Sequence, residues 1–373
     1  MALAKGGTVN WFMWGGSDSI NAYVSEWVGG VLRDEYDITL NRVGISDTVE
    51  AVNIVLGEKE AGVLDNGSVD MIWINGENFK TVMQADMAFC GYFETLPNNR
   101  LIDWENPSVA NDFGLPVNGC EAPWTRGKGF IYAYDPGVTP NPPRSIPELI
   151  EWVKENPSAF TYTAPPDFQG SAFVRHVFYH AAGGVENLMG DFDQAKFDEV
   201  AEKAWKILND MEPYLWREGK TYPTSQAALD NLLANQEIVL YPNYDAENVA
   251  RAIADGKFPD SMRTYMMKDG GIANTSYTLI PFNSPNKAAA MVLQNVLLSG
   301  EAHYQKALPE VWGSNPGIEM DRTSEEIQAK FNAIERHPSM DSEVDPDGVG
   351  TLPELPGAWT TAIEKGWLEH VGK

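Results

Sequence analysis

The stretch Trp11–Leu32 reads WFMWGGSDSINAYVSEWVGGVL: bulky apolar residues, two glycines, a polar triplet, then an apolar set at helical spacing. Val9 to Trp14 has the character of a short buried strand, and Ile20, Tyr23, Val24, Trp27, Val28, Val31 and Leu32 recur as one face of a helix. A strand therefore feeds directly into a helix. DITLNRV follows as a second strand, then a helix opened by the Asp47-x-x-Glu50 capping box, then the strand VDMIWI at Val69–Ile74. Strands joined through a helix run parallel and carry the helices on the sheet faces, so this βαβαβ unit begins a doubly wound α/β sheet.

After an irregular Asn- and Pro-rich region from Leu96 to Pro123, strand-like GFIYAYD leads into PGVTPNPP, a surface connection that reads as a lobe boundary. The alternation then resumes: the helix of SIPELIEWVKEN behind a Ser145-x-x-Glu148 box, the strand FTYTA, the turn PPDFQG and the helix of SAFVRHVFYHAAG. Helices over Phe197–Met211 and Gln226–Ala234, the strand EIVLYP, the turn NYDA and a helix ending near Gly256 come next. Strand signals at MRTYMM and SYTLIPF precede helices within Lys287–Ser299 and Glu325–Glu335, and the tail is rich in Pro, Asp and Gly. No fixed-period repeat is evident, which argues against solenoids and propellers.

At 373 residues with 43% hydrophobic side chains, the chain has enough apolar surface for more than one core. Its net charge of -26, from 53 acidic and 27 basic residues, repels phosphate backbones and anionic membrane surfaces and disfavours nucleic acid as a partner. The acidity serves as a solvated surface or as a field that draws in cations. No apolar run reaches the ~18 to 20 residues that span a bilayer. Ala2-Leu3-Ala4 has the small-x-small form left where an export signal is cut, or is a cloning remnant. Cys90 and Cys120 are too few for a disulfide scaffold or a four-thiolate zinc site. Export favours a bridge between them; a cytosolic location leaves two buried thiols.

Several chemistries fail on spacing. His176 and His180 stand four apart on a helix, but Val177 follows His176 where a zinc protease needs Glu, so they read as surface or packing residues. Glu343–Glu354 places Asp345, Asp347, Gly348 and Glu354 on calcium-loop positions, yet begins with Glu and carries Pro346 and Pro353; a plain acidic turn is expected, with calcium the alternative. Ser17 in GGSDS lacks the nucleophile-elbow pattern, and no glycine run matches a nucleotide loop. No catalytic residue, metal site or cofactor is expected.

What remains is a recurring placement. Polar and aromatic residues gather where strands end and helices start, at the edge of an α/β sheet where ligands bind. They are Trp14, Gly16, Ser17 and Asp18; Asn75, Gly76 and Glu77; Phe168, Gln169, Gly170 and Ser171; and Tyr241, Asn243, Tyr244 and Asp245. Glycines there allow a sharp turn and close approach, and Ser17 or Asp18 caps the following helix. Capping alone explains any one junction, and core packing is the alternative for Trp11 and Trp73. Four junctions together, three with aromatic rings, favour a pocket that stacks on planar or cationic ligands.

The phrases WGGSDSIN, DMIWINGENF, EAPW, PPRSIPELIEWV, TAPPDFQGSAFVR and LYPNYDAENVA together resemble the YnjB-type solute-binding proteins of ABC transporters, over roughly residues 8 to 330. The resemblance implies an α/β protein of the type II periplasmic-binding-protein fold, two doubly wound lobes joined by crossover strands, with a ligand trapped between them by hinge closure. It implies lobe 1 over residues 8–130 plus 272–330, lobe 2 over 131–271, and a tail over 331–373 packing on the lobes. It further implies a non-enzymatic, periplasmic or otherwise extracytoplasmic monomer, its export signal outside these residues, that delivers a small molecule to a membrane permease. The group is connected with thiamine transport. A cationic or aromatic amine such as thiamine or a polyamine would suit Trp14, Trp124, Tyr241 and Tyr244 with Asp18 or Asp245 as counter-charge. Arg126, Lys128 and Arg175 would instead hold a carboxylate or phosphate. A secreted sugar hydrolase using paired carboxylates such as Asp18 and Asp245, or a sensory ligand-binding subunit, are the competing functions.

Overall fold

The computed structural model describes residues 3–127, 129–244 and 246–372. The chain forms two compact units: Met1–Arg126 with Asn274–Glu335, and Gly127–Ala273 with Arg336–Lys373.

In the first unit, the sheet order is Thr39–Ile45, Thr8–Trp14, Met71–Ile74, Thr275–Leu279, Glu121–Arg126. Thr8–Trp14 pairs in parallel with both neighbours, as the opening βαβαβ pattern requires. Thr275–Leu279 is antiparallel to both of its neighbours, so Glu121–Arg126 runs with the first three strands. Trp14, Ile45, Ile74 and Arg126 therefore end on one edge. Val9, Trp11 and Met13 alternate onto one face with Ile20, Val24, Val28 and Leu293, while Ile72 and Ile74 help cover Val52, Val55 and Phe79 on the other.

The helix after the first strand begins at Asp18 and includes a π-helical stretch, Tyr23–Val28, before Gly29–Tyr36. Trp27 stacks on Tyr23 there, centroids 5.6 Å apart. The capping box forms as expected: Asp47 accepts from Val49 N, and Glu50 Oε1 from Asp47 N. Cys90 and Cys120 are joined in a disulfide.

The second unit is built on Leu240–Asn243, Ile131–Tyr134 and Arg263–Tyr265, with both pairings antiparallel. Tyr132, Phe160, Tyr162, Phe173 and Trp205 fill one face, and Ile131, Ala133, Leu229, Val249 and Met266 the other. FTYTA, expected as a strand, makes one bridge, Phe160 to Leu240. Its neighbouring backbone groups are taken elsewhere: Phe160 O by Trp216 N and Ala164 N by Pro223 O. The helix expected to open at Ser171 opens at Phe168 instead, because Asp167 Oδ1 accepts from Gln169 N at 3.1 Å. Gly170 is required there, since a Cβ would stand 1.8 Å from the Thr163 carbonyl oxygen.

The C-terminal residues contain Gly357–His370, a helix that the composition of the tail does not announce. Trp359, Ile363 and Trp367, spaced by four, are buried in the second unit's core, and Trp367 Nε1 donates to the Tyr162 hydroxyl at 3.0 Å. The acidic segment before this helix is dispersed. Glu343 pairs with Arg144, Asp345 with Lys268, and Glu354 turns inward to Arg175, which removes the twelfth ligand of a calcium loop.

Trp367→Ala is expected to cost about 3–5 kcal/mol by cavity formation. Leu368→Ala, next door but 52% exposed, should change stability by about 0.5 kcal/mol or less. Urea unfolding followed by tryptophan fluorescence and circular dichroism checks the contrast; equal effects would remove this helix from the core.

Candidate functional site

On the first unit, the strand-end edge carries a tier of indoles. Trp14 is 43% exposed and meets Trp73 edge-on at 6.5 Å. Beneath it, Trp73 lies 4.5 Å from Trp124, which in turn contacts Trp11 at 4.9 Å and Trp312 at 5.2 Å. Gly16 makes room for the exposed ring: a Cβ there would sit 2.2 Å from a Trp14 ring carbon. Ser17 caps the helix through Ile20 N at 3.5 Å and Asp18 is exposed in its first turn. Trp124, expected at the ligand surface, is buried and supports the surface ring from below. Trp73 and Trp312 stay partly exposed in the same cluster.

At the next junction Asn75 precedes the helix Gly76–Gln84 without a side-chain capping bond. Gly76 N donates to both Asp112 carboxylate oxygens at 2.9 Å, so this helix end already has an anion from its own chain. Gly76 is an internal anchor rather than an open ligand contact.

On the second unit, Phe168 is 43% exposed and its ring centre lies 4.8 Å from that of Tyr244. Gln169 Oε1 is buried without a hydrogen-bond partner, while Ser171 Oγ donates to Glu364 at 2.5 Å. Tyr241 and Asn243 lie beneath the surface: the Tyr241 hydroxyl donates to Asp230 and accepts from Asn243 Nδ2 at 2.7 Å. The Tyr244 hydroxyl donates to Glu354 at 3.0 Å. Asp245 and Lys128 lie outside the described residues. The structure thus brings Trp14, Gly16, Ser17 and Asp18 together on one unit, and Phe168, Gln169 and Tyr244 on the other.

Two of the three candidate anion receptors, Arg126 and Arg175, are already engaged. Arg126 pairs with Glu319 at 3.0 Å and the fully buried Arg175 with Glu354 at 2.5 Å. A cation also belongs to the indole tier: buried Lys306 donates to the Trp124 carbonyl and lies 5.4 Å from the Trp312 ring. His176 is a core residue against Phe130, its ring centre 6.1 Å away, and burial pushes its pKa down to about 4. Among the described residues no group of three or more His, Cys, Asp or Glu could hold a metal. Sequence reasoning missed Trp312, Lys306 and Glu364, and read Glu354 only as part of an acidic turn; all four reach these surfaces from distant parts of the chain.

Residues 32–333 match the family model described as bacterial extracellular solute-binding protein. The chain is 36% identical to Protein YnjB of Escherichia coli (strain K12) over 369 residues, 99% of this chain and 92% of that one. It belongs to the bacterial extracellular solute-binding proteins. Its fold is similar to that of the spermidine/putrescine ABC transporter substrate-binding protein PotD from Streptococcus pneumoniae, at TM-score 0.66 and 13% identity, covering 97% of this chain and 98% of that one. A periplasmic thiamin-binding protein matches at TM-score 0.58 and 14% identity, covering 98% and 96%. The chain thus has the type II fold and is an extracellular solute-binding protein. It is not an enzyme, which sets the hydrolase alternative aside. Among the described residues no helix is long and apolar enough to cross a membrane.

One buried group of this solute-binding protein makes its stability pH-dependent. Glu121 is fully buried with neither carboxylate oxygen hydrogen-bonded, and burial together with the charge of Asp112 pushes its pKa well above the carboxylate range. A raised folded-state pKa contributes stability that is fully present below the unfolded value, near 4.5, and lost as pH rises toward the folded value. Glu121→Gln keeps the shape without the charge. Its thermal midpoint should gain on wild type progressively from about pH 4.5 upward; an offset constant from pH 4.5 to 8 would show that Glu121 does not titrate abnormally.

Proposed function

We propose that this protein captures a small cationic or aromatic amine, of the thiamine or polyamine type, as a periplasmic monomer, and passes it to its permease. Trp14, Gly16, Ser17, Asp18 and Asn75 are the proposed contacts on the first unit, and Phe168, Gln169 and Tyr244, with Asp245, those on the second. Trp124, Tyr241, Asn243 and Ser171 hold these from beneath. The observation that carries the charge assignment is that Arg126 and Arg175 are each paired with a glutamate, while Asp18 is an exposed carboxylate close to Trp14 and Arg42, the guanidinium near Gly15, is bonded to Ser25. An exposed indole beside a carboxylate attracts a cation through both ring face and charge. The net charge of -26 draws the same ligands toward the surface. The spermidine/putrescine protein and the thiamin-binding protein, whose folds this chain shares, agree with that class.

A thermal-shift panel of thiamine, spermidine, putrescine, sugars and organic anions tests the reading. A ligand at ~100 times its Kd adds about 2.7 kcal/mol, a readily measured rise in midpoint. Response to a cation and silence to anions is expected; response to anions alone would reverse the assignment. Trp14→Ala is expected to weaken binding of the responding cation about fivefold or more, the loss of roughly 1 kcal/mol of ring attraction, with the unliganded midpoint unchanged.

A further inference from the structure

Asparagine is followed by glycine at three places, Asn66-Gly67, Asn75-Gly76 and Asn118-Gly119. In such a pair the glycine has no side chain to shield its backbone nitrogen, which can attack the asparagine side-chain carbonyl. The attack needs that nitrogen to give up its proton and turn toward Cγ. A backbone N–H held in a hydrogen bond therefore resists it, and a bond to a carboxylate resists most, because a nearby negative charge opposes loss of the proton.

The fold treats the three pairs differently. Gly76 N donates to both Asp112 carboxylate oxygens at 2.9 Å, a buried contact. Gly67 N donates to the Asn283 carbonyl at 2.8 Å, and the Asn283 side chain lies 2.5 Å from where a Gly67 Cβ would stand. Asn118 and Gly119 are the two corner residues of a turn closed by Cys120 N to the Val117 carbonyl at 3.0 Å, with φ of 50° and 70°. Gly119 N donates to no protein group among the described residues. Asn66 and Asn118 are both exposed, so what separates them is the state of the following N–H.

We infer that Asn118 is a site of spontaneous modification, converting to aspartate and isoaspartate, and that Asp112 keeps Asn75 an amide. Gly119 N bonds to Asn118 Cγ, the Cγ–Nδ2 bond breaks, and Nδ2 leaves as ammonia with the proton from Gly119 N. Water then opens the cyclic imide at either carbonyl and leaves one new carboxylate, with no change of oxidation state. Asn118 precedes Glu121–Arg126, whose other end reaches the candidate edge, so the new charge falls at the opposite edge of the sheet. Conversion of Asn75 would put a carboxylate on the candidate edge itself, and that is the pair held by Asp112.

The test is to age the folded full chain in mildly alkaline buffer and follow the three peptides by mass spectrometry and an isoaspartate assay. Asn118 should convert about tenfold or more faster than Asn75, the factor for opening one hydrogen bond to a charged group, with Asn66 between them. In urea with the disulfide reduced, the three rates should converge. Asp112→Ala should speed Asn75 conversion by about tenfold or more, whereas Asp112→Asn, whose side-chain oxygen can still accept from Gly76 N, should keep much of the protection. Where Asp112→Ala fails to fold, the ratio of unfolded to folded rates at Asn75 in wild type carries the test. Equal rates at the three sites in the folded chain, or Asn75 converting first, overturns the inference.

Discussion

The parallel pairing of Thr8–Trp14 with the strands on either side is the constraint on which the first unit depends. Because the strands share one direction, their last residues fall on one edge, and each helix must begin where its strand stops. That brings Trp14 and Asp18 to the same sheet edge as Asn75, which lies far along the sequence. The same geometry exposes helix starts, and the chain fills one of them with its own carboxylate, Asp112. A ligand surface on this sheet is what remains after the internal polar groups have been satisfied.

The two candidate surfaces follow one electrostatic plan. Each has an exposed aromatic ring, a supporting layer of buried rings or hydroxyls, and a buried cation below: Lys306 under the indoles, Arg175 under Phe168. A buried cation needs compensation because desolvation is costly. Lys306 meets the Trp124 carbonyl and ring faces among its contacts, and Arg175 meets the Glu354 carboxylate among its own. Aromatic residues at these sites therefore have two roles, facing solvent on one layer and holding the chain's own cations on the next. Residue type alone could not separate the roles, which is why Trp124 and Tyr241 read as ligand contacts in the sequence.

The local grammar of the chain was legible. The Asp47 capping box, the opening strand and helix, and the Gln226–Ala234 helix all follow from spacing and end signals. What spacing could not supply was partnership at a distance. Glu354 lies in an acidic stretch, and nothing local says that it turns inward to meet Arg175, 179 residues away. FTYTA has strand composition, but Trp216 and Pro223 take backbone groups that a longer ladder would use. The helix Gly357–His370 had a signal in Trp359, Ile363 and Trp367 that the surrounding Pro and Gly obscured. The candidate edge was visible as a set of junctions; its layering depends on contacts between residues distant in sequence.

Trp359, Ile363 and Trp367 join Leu352, Leu355 and Val371 in a core whose remaining residues come from 130 to 272. That core therefore closes only when residues 352–371 join it, so its folding depends on contacts of long sequence separation. Until then Tyr162, Phe197 and Trp205 lack part of their cover, so partly folded forms of this unit expose large aromatic surface.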